Sequence, residues 1–220
     1  MSAKPLPRSV RACAILALLL GTCSGMNATT TALTLMQPPS ATAPRPEKGP
    51  QSPEEERVLE ALQTLHAAQT RAVRPFRGGR LATSMLLSVA TMFTLVIALR
   101  LLVPAGLSRR PLVRSLSTVM MATAALRTVD GAFEFVIARN TARPALEVMR
   151  AQLALKPPEG TDAAAMTEIF NQLEPLIARA ATTSSAIMTL FVAGALLGMG
   201  QYLRSARVMA AFPPPTEDAS

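Results

Sequence analysis

The chain has no tryptophan, one tyrosine, one histidine and two cysteines, and seven phenylalanines supply nearly all of its aromatic content. A soluble core normally leans on more large aromatic anchors, so the apolar half of this composition is used in another way. The single histidine, His66, argues against zinc hydrolysis and against a Ser–His–Asp arrangement inside an apolar phase. Cys13 and Cys23 stand in one apolar run; on a single helix they would be roughly 15 Å apart, too far for a mutual disulfide. No metal-ligand spacing and no Gly-rich phosphate loop occurs, so neither a metal nor another cofactor is expected. Gly78-Gly79 reads as a flexible turn.

The net charge is +8, yet the stacking aromatics of a nucleic-acid binder are missing, so no nucleic-acid partner is expected. All but three of the 22 basic residues are Arg, and many lie beside apolar runs, where they would meet lipid headgroups and set orientation. Ala, Leu, Met and Val gather into those runs, which is how a membrane chain uses its apolar residues. The expected fold class is all-α: an integral membrane four-helix bundle with two extracytoplasmic amphipathic helices.

Four spans are expected, at 12–36, 81–103, 116–138 and 183–203. The first follows Lys4, Arg8 and Arg11 and meets no charge before Arg45; its 25 residues reach across a hydrocarbon layer of roughly 30 Å. A cleaved signal peptide, or lipidation at Cys23, are alternative fates for this segment. The second carries one charge, Arg100, a turn from its end, where it can snorkel. The third contains Arg127, Asp130 and Glu134, and the chain beyond it can continue as a helix to about Leu155. The fourth is uncharged until its end, with Tyr202 placed as an interfacial aromatic.

Between the spans, residues 37–53 hold Pro38, Pro39, Pro44, Pro46, Pro50 and Pro53 and form a linker. An outer amphipathic helix over 52–73 follows. Ser52 is its N-cap, Pro53 its first residue, and Glu54, Glu55 and Glu56 oppose the N-terminal dipole. Val58, Leu62 and Leu65 line one face. Residues 156–160 make a turn before a second outer helix, 161–181, with Ile169, Leu173 and Ile177 on its face; this helix can run straight into the fourth span. Residues 209–220 form a disordered tail.

A shift of 108 pairs Lys48 with Lys156, Pro50 with Pro158, Glu60 with Glu168, Leu65 with Leu173 and Arg71 with Arg179. This pattern points to a tandem duplication, residues 1–107 forming one repeat and 108–208 the other. Each repeat would hold an even number of spans, so a pseudo-two-fold axis along the membrane normal would relate them. Gly21 and Gly25, and Gly194 and Gly198, are spaced for close helix packing. Basic residues before the first span, and Arg109, Arg110 and Arg114 in the central loop, place both termini in the cytoplasm of a multi-pass inner (plasma) membrane protein.

Arg127, Asp130 and Glu134 share one face of the third span. They form either a binding or proton-relay site or an internal ion pair. Asp130-Gly131 with Ala138-Arg139 is similar in outline to the motif of CDP-alcohol phosphotransferases, but the Ala-Arg pair falls too late and the further aspartates are missing. No catalytic motif remains. The expected role is a non-enzymatic membrane subunit, with the lipid bilayer and a membrane or envelope protein, or a second copy, as partners. A small transporter or channel subunit using Arg127, Asp130 and Glu134 is the alternative.

Overall fold

The computed structural model describes residues 6–37, 52–103, 109–155 and 163–212, and among them there is no strand. Residues 104–108, the turn at 156–160, residues 213–220 of the tail and nearly all of the Pro-rich linker lie outside the described residues. The helices are α1 (Arg8–Met36), α2 (Pro53–Val73), α3 (Arg77–Leu102), α4 (Arg109–Leu155), α5 (Ala163–Arg204) and α6 (Ala206–Ala210).

The start of α2 is the one the local chemistry demands. Ser52 is extended (φ −139°, ψ 157°) and its hydroxyl accepts a hydrogen bond from the Glu55 N–H at 3.2 Å, with Pro53 in the first turn. The cap satisfies one of the four amide groups that a helix N-terminus leaves unpaired. At the other end the α-helical ladder gives way to a short 3₁₀ turn, Arg74–Phe76. Pro75 has no N–H to donate, which accounts for the change of pitch there. The helix α3 resumes at once, and Gly78-Gly79 belong to its first turn instead of forming a flexible loop. First-turn amides have no intrahelical acceptor in any case, so glycine is tolerated there more readily than in a helix interior.

Three helical stretches are long and apolar enough to cross a membrane: Arg8–Met36, the run Pro53–Leu102, and Asn171–Arg204. The segment 116–138 is not among them; it lies within the 47-residue α4, which continues to Leu155. Likewise 163–181, the described part of the expected second outer helix, and 183–203 fall in a single helix of 42 residues, α5. Helices of these lengths run to roughly 60–70 Å, about twice a hydrocarbon core. The tail begins later than 209, since Met209 and Ala210 are in α6 and Phe212 is buried. Ser205 caps that short helix through the Val208 N–H.

The described chain divides into two units. One gathers α1, Arg80–Asp130 and the chain from Thr189 onward; the other gathers Gln37–Gly79 and Gly131–Met188.

In the first unit large apolar residues lie on the outward faces as well as in the core. The buried positions of α1 are Val10, Ala14, Ala17, Gly21, Ser24, Ala28, Ala32 and Leu35, at steps of three and four. On α3 they are Ser84, Leu87, Thr91, Thr94, Ala98 and Leu101. Small residues and hydroxyls therefore predominate in the seams, beside Val10, Leu35, Leu87 and Leu101, while Leu19 (60% exposed), Met26 (69%) and Phe191 (66%) point outward. Water would penalise such a surface, whereas lipid rewards the close backbone approach that small seams allow. Several of the buried hydroxyls are satisfied inside their own helices: Thr94 donates to the Ala90 carbonyl at 2.9 Å and Thr123 to the Val119 carbonyl at 2.8 Å. Such bonds lower the cost of a hydroxyl that no water can reach.

Register follows from the contacts across the seams. Thr29 bonds Ser88 at 3.2 Å, and the Gly25 position faces Thr91 while Gly21 faces Thr94 and Leu95. Thus α1 and α3 are antiparallel. Thr94 meets Thr123 at 3.5 Å, while Arg80 meets Asp130. The first part of α4 is therefore antiparallel to α3. One core joins these helices to α5 and α6, through Ala17, Ala98, Leu116, Met120, Leu196 and Val208.

In the second unit Phe76 and Phe133 pack with ring centroids 5.7 Å apart. Arg150 reaches from α4 to Asn171 (2.8 Å) and Glu174 (3.2 Å) on α5. Arg77 donates to the Gln37 carbonyl at 2.7 Å.

Candidate functional site

The polar centre of the first unit is Asp130. Its carboxylate has no solvent exposure and stands between two guanidiniums. Arg127, one turn earlier on α4, donates to Oδ2 at 2.8 Å, and Arg80 Nε of α3 lies 3.9 Å from Oδ1. The i, i+3 spacing brings Arg127 to Asp130 locally; Arg80 arrives through the antiparallel packing of α3 on α4. Glu134, one turn further along α4, is half-buried and is itself engaged in an interaction.

The level of this cluster matters more than its composition. Arg80 immediately precedes the apolar stretch that begins at Leu81. Asp130 packs against Arg80, so it sits at one end of the apolar band of α3 and not halfway along it. Ionisable groups are cheaper at such a level, where long guanidinium stems can reach the interface. The geometry ties one end of α3 to α4 through three charged groups. Among the described residues Asp130 is the one charged residue that is fully buried, and the other buried polar residues carry hydroxyls.

The packing glycines divide by helix. A Cβ at Gly25 would lie 2.8 Å from Thr91 Oγ1, and one at Gly21 would lie 3.5 Å from Leu95. Gly194 and Gly198 have nothing within 4 Å. The close approach on α5 is at Gly200, where a Cβ would meet Met121 at 2.9 Å and the Ser117 carbonyl at 3.2 Å. There the Ser117 hydroxyl donates to the Gly200 carbonyl at 2.7 Å, a buried bond between α4 and α5.

Of the outer-helix residues, Val58, Leu65 and Ile177 are half-buried, whereas Leu62, Ile169 and Leu173 are exposed. His66 is half-buried on α2. Among the described residues no three His, Cys, Asp or Glu side chains converge as metal ligands do.

Arg80 and Gly200 are the positions that sequence reasoning passes over. Arg80 is one of four Arg between 71 and 80, with nothing local to single it out. Antiparallel pairing of the second and third spans would have brought it opposite the one aspartate that needs a cation. No protein-family model matches the chain, and no curated protein or solved structure matches it.

Proposed function

We propose that the chain is a non-enzymatic subunit of the inner (plasma) membrane that binds or stabilises another envelope protein through its membrane bundle and outer helices. The observation that carries this reading is the placement of its large apolar side chains. Along α1, α3 and the end of α5 they face outward, where lipid takes them up. On α5 the exposed apolar residues continue through Ile187 and Leu176 to Leu173 and Ile169, beyond the stretch that a bilayer of ordinary thickness covers. An exposed apolar face outside the bilayer is the usual mark of a protein contact.

Four crossings fit this reading. Residues 109–130 return alongside α3, with Thr123 opposite Thr94 and Asp130 opposite Arg80. If α3 crosses, the start of α4 crosses back. Its lower apolar content is tolerable because Ser117, Thr123 and Asp130 are buried within protein. With basic residues at Arg8, Arg11, Arg109, Arg110 and Arg114, both termini lie in the cytoplasm and α2 lies outside. The two halves then each present a span, an outer helix and a span, as a tandem duplication would.

The transporter alternative draws less support, because Asp130 is engaged at one end of the apolar band by Arg80 and Arg127.

The test is a crosslinked pull-down from native membranes with a C-terminal tag, comparing Leu173→Asp with the exposed α2 control Thr64→Asp. A partner lost with the first and kept with the second supports the role. An unchanged set of partners in both sinks it.

A further inference from the structure

Where α4 begins and α5 ends, a threonine holds one arginine beside others. Arg204 Nη2 donates to Thr118 Oγ1 at 2.9 Å, and that hydroxyl donates in turn to the Arg114 carbonyl at 3.0 Å. Arg110, Arg114 and Thr118 follow one another at one-turn steps along a single face of α4. We infer that this face binds the phosphodiester of an anionic glycerophospholipid. Arg114 and Arg204 would take its oxygens, with Arg110 beside them and Thr118 positioning Arg204. The inference rests on the reading that these helices cross a membrane.

The first argument is charge. Among the described residues of this unit the one carboxylate side chain is Asp130. It lies about 24 Å along α4 from Arg114, and Arg80 and Arg127 already hold it. At that distance, more than twice a Debye length of about 10 Å, it offsets nothing at this end. Arg8 and Arg11 of α1 and Arg207 of α6 lie at the same end, where Val10, Leu101, Val113 and Val208 share one core. Like charges at one-turn spacing oppose each other, and a bound anion relieves them. Arg110 adds a specific demand, because its Nε is buried without a hydrogen-bond partner.

The second argument is geometry. A guanidinium carries five N–H donors in a planar fork that matches the oxygens of a phosphate. Thr118 takes one of them from Arg204 and leaves the rest available. Fixing a long side chain in advance lowers the ordering cost of binding. Arg114, Thr118 and Arg204 are all exposed, so a headgroup can reach them.

The third argument is level, and it selects a lipid over a free phosphate. Arg204 directly follows the apolar segment 183–203, and Arg114 and Thr118 flank Leu116, where the apolar part of α4 begins. The guanidiniums therefore stand at headgroup height. Leu190, Leu197 and Arg204 recur at two-turn steps on one face of α5, and both leucines are exposed. An apolar row thus leads from the phosphate position into the hydrocarbon layer, as the acyl chains of the same molecule require. A zwitterionic lipid would bring its own ammonium group against the arginines, so an anionic one is preferred.

The test uses the full chain in micelles of a neutral detergent, with bound lipid counted by native mass spectrometry. Phosphatidylglycerol should bind on the order of tenfold more tightly than phosphatidylcholine. Arg114→Gln and Arg204→Gln should each weaken it about fivefold. Thr118→Val keeps every charge, yet should weaken it several-fold by releasing Arg204. Arg204→Lys should restore only part of what Arg204→Gln loses, since it keeps the charge without the fork. Arg139→Gln, at an exposed arginine of the other unit, should change nothing, and circular dichroism checks that each variant keeps its helices. Equal affinity for the two lipids overturns the proposal. Full affinity in Thr118→Val also overturns it, because attraction would then be diffuse. Displacement of the lipid by glycerol 3-phosphate would make the ligand a free phosphate and overturn the lipid assignment. Membrane insertion is read separately: release of the chain from native membranes by alkaline carbonate would remove that premise, whereas a retained chain with no lipid preference sinks this proposal alone.

Discussion

Arg80 of α3 and Asp130 of α4 are fifty residues apart in the chain and 3.9 Å apart in space, and Arg127 closes on the same carboxylate at 2.8 Å. Removing the aspartate would leave two largely buried guanidiniums facing one another. Asp130→Asn is therefore expected to destabilise the protein by about 3–5 kcal/mol, as breaking a buried ion pair does. Replacing Arg80, Arg127 and Asp130 together by Met, Met and Leu should recover much of that loss. Unfolding in mixed micelles with SDS measures both. A loss below about 1 kcal/mol for Asp130→Asn would place the cluster among surface pairs that contribute little.

Glycines on α5 should respond unequally. Gly200→Val must push Met121 and the Ser117 backbone apart, and overpacking of this kind typically costs about 1–3 kcal/mol. Gly194→Ala and Gly198→Ala meet open space, so they should be neutral or gain up to about 1 kcal/mol from helix propensity. The same micellar unfolding ranks the three variants. Equal sensitivity at all three sites would contradict the packing at Gly200.

Ser52→Ala removes the hydroxyl that accepts from the Glu55 amide. The expected loss is about 1 kcal/mol, confined to the start of α2. Hydrogen exchange should accelerate over 53–58 and stay unchanged in α3. Acceleration throughout the chain would mean the cap serves more than its own helix.

Topology separates four crossings from three. Alkaline phosphatase fused after Val73 should be active, and fused after Phe212 inactive, because residues 109–130 turn the chain back. Activity at both positions would show that α4 does not cross.

Much of this fold can be read from the residues because its signals are local. Ser52-Pro53 followed by three glutamates starts α2 where such a cluster must, and Pro75 interrupts the ladder within two residues of the end of that helix. The end of α4 at Leu155 precedes Lys156-Pro157-Pro158, which helical backbone tolerates poorly. What escapes sequence reasoning depends on facing. The four-residue spacing of Gly194 and Gly198 says they share a side of the helix, but not which side meets a neighbour, and the contact falls at Gly200. Arg80 acquires its partner only from the register between two helices. Arg127 and Asp130 count against the proposed span at 116–138 in composition, while neutralising each other in place.

The seam between α3 and α4 also bears on how the chain is made. As the ribosome emits it, α3 is apolar enough to leave the insertion machinery alone. The stretch from Arg109 to Asp130 is not, for arginine and aspartate each oppose entry by about 2.5–3.5 kcal/mol at the centre of an isolated helix. If it crosses as proposed, its route into the bilayer is as the second arm of a hairpin, with Arg80 already waiting at the far end for Asp130. Order of synthesis and order of packing then coincide, and a lesion in α3 would show itself first as a failure to integrate α4.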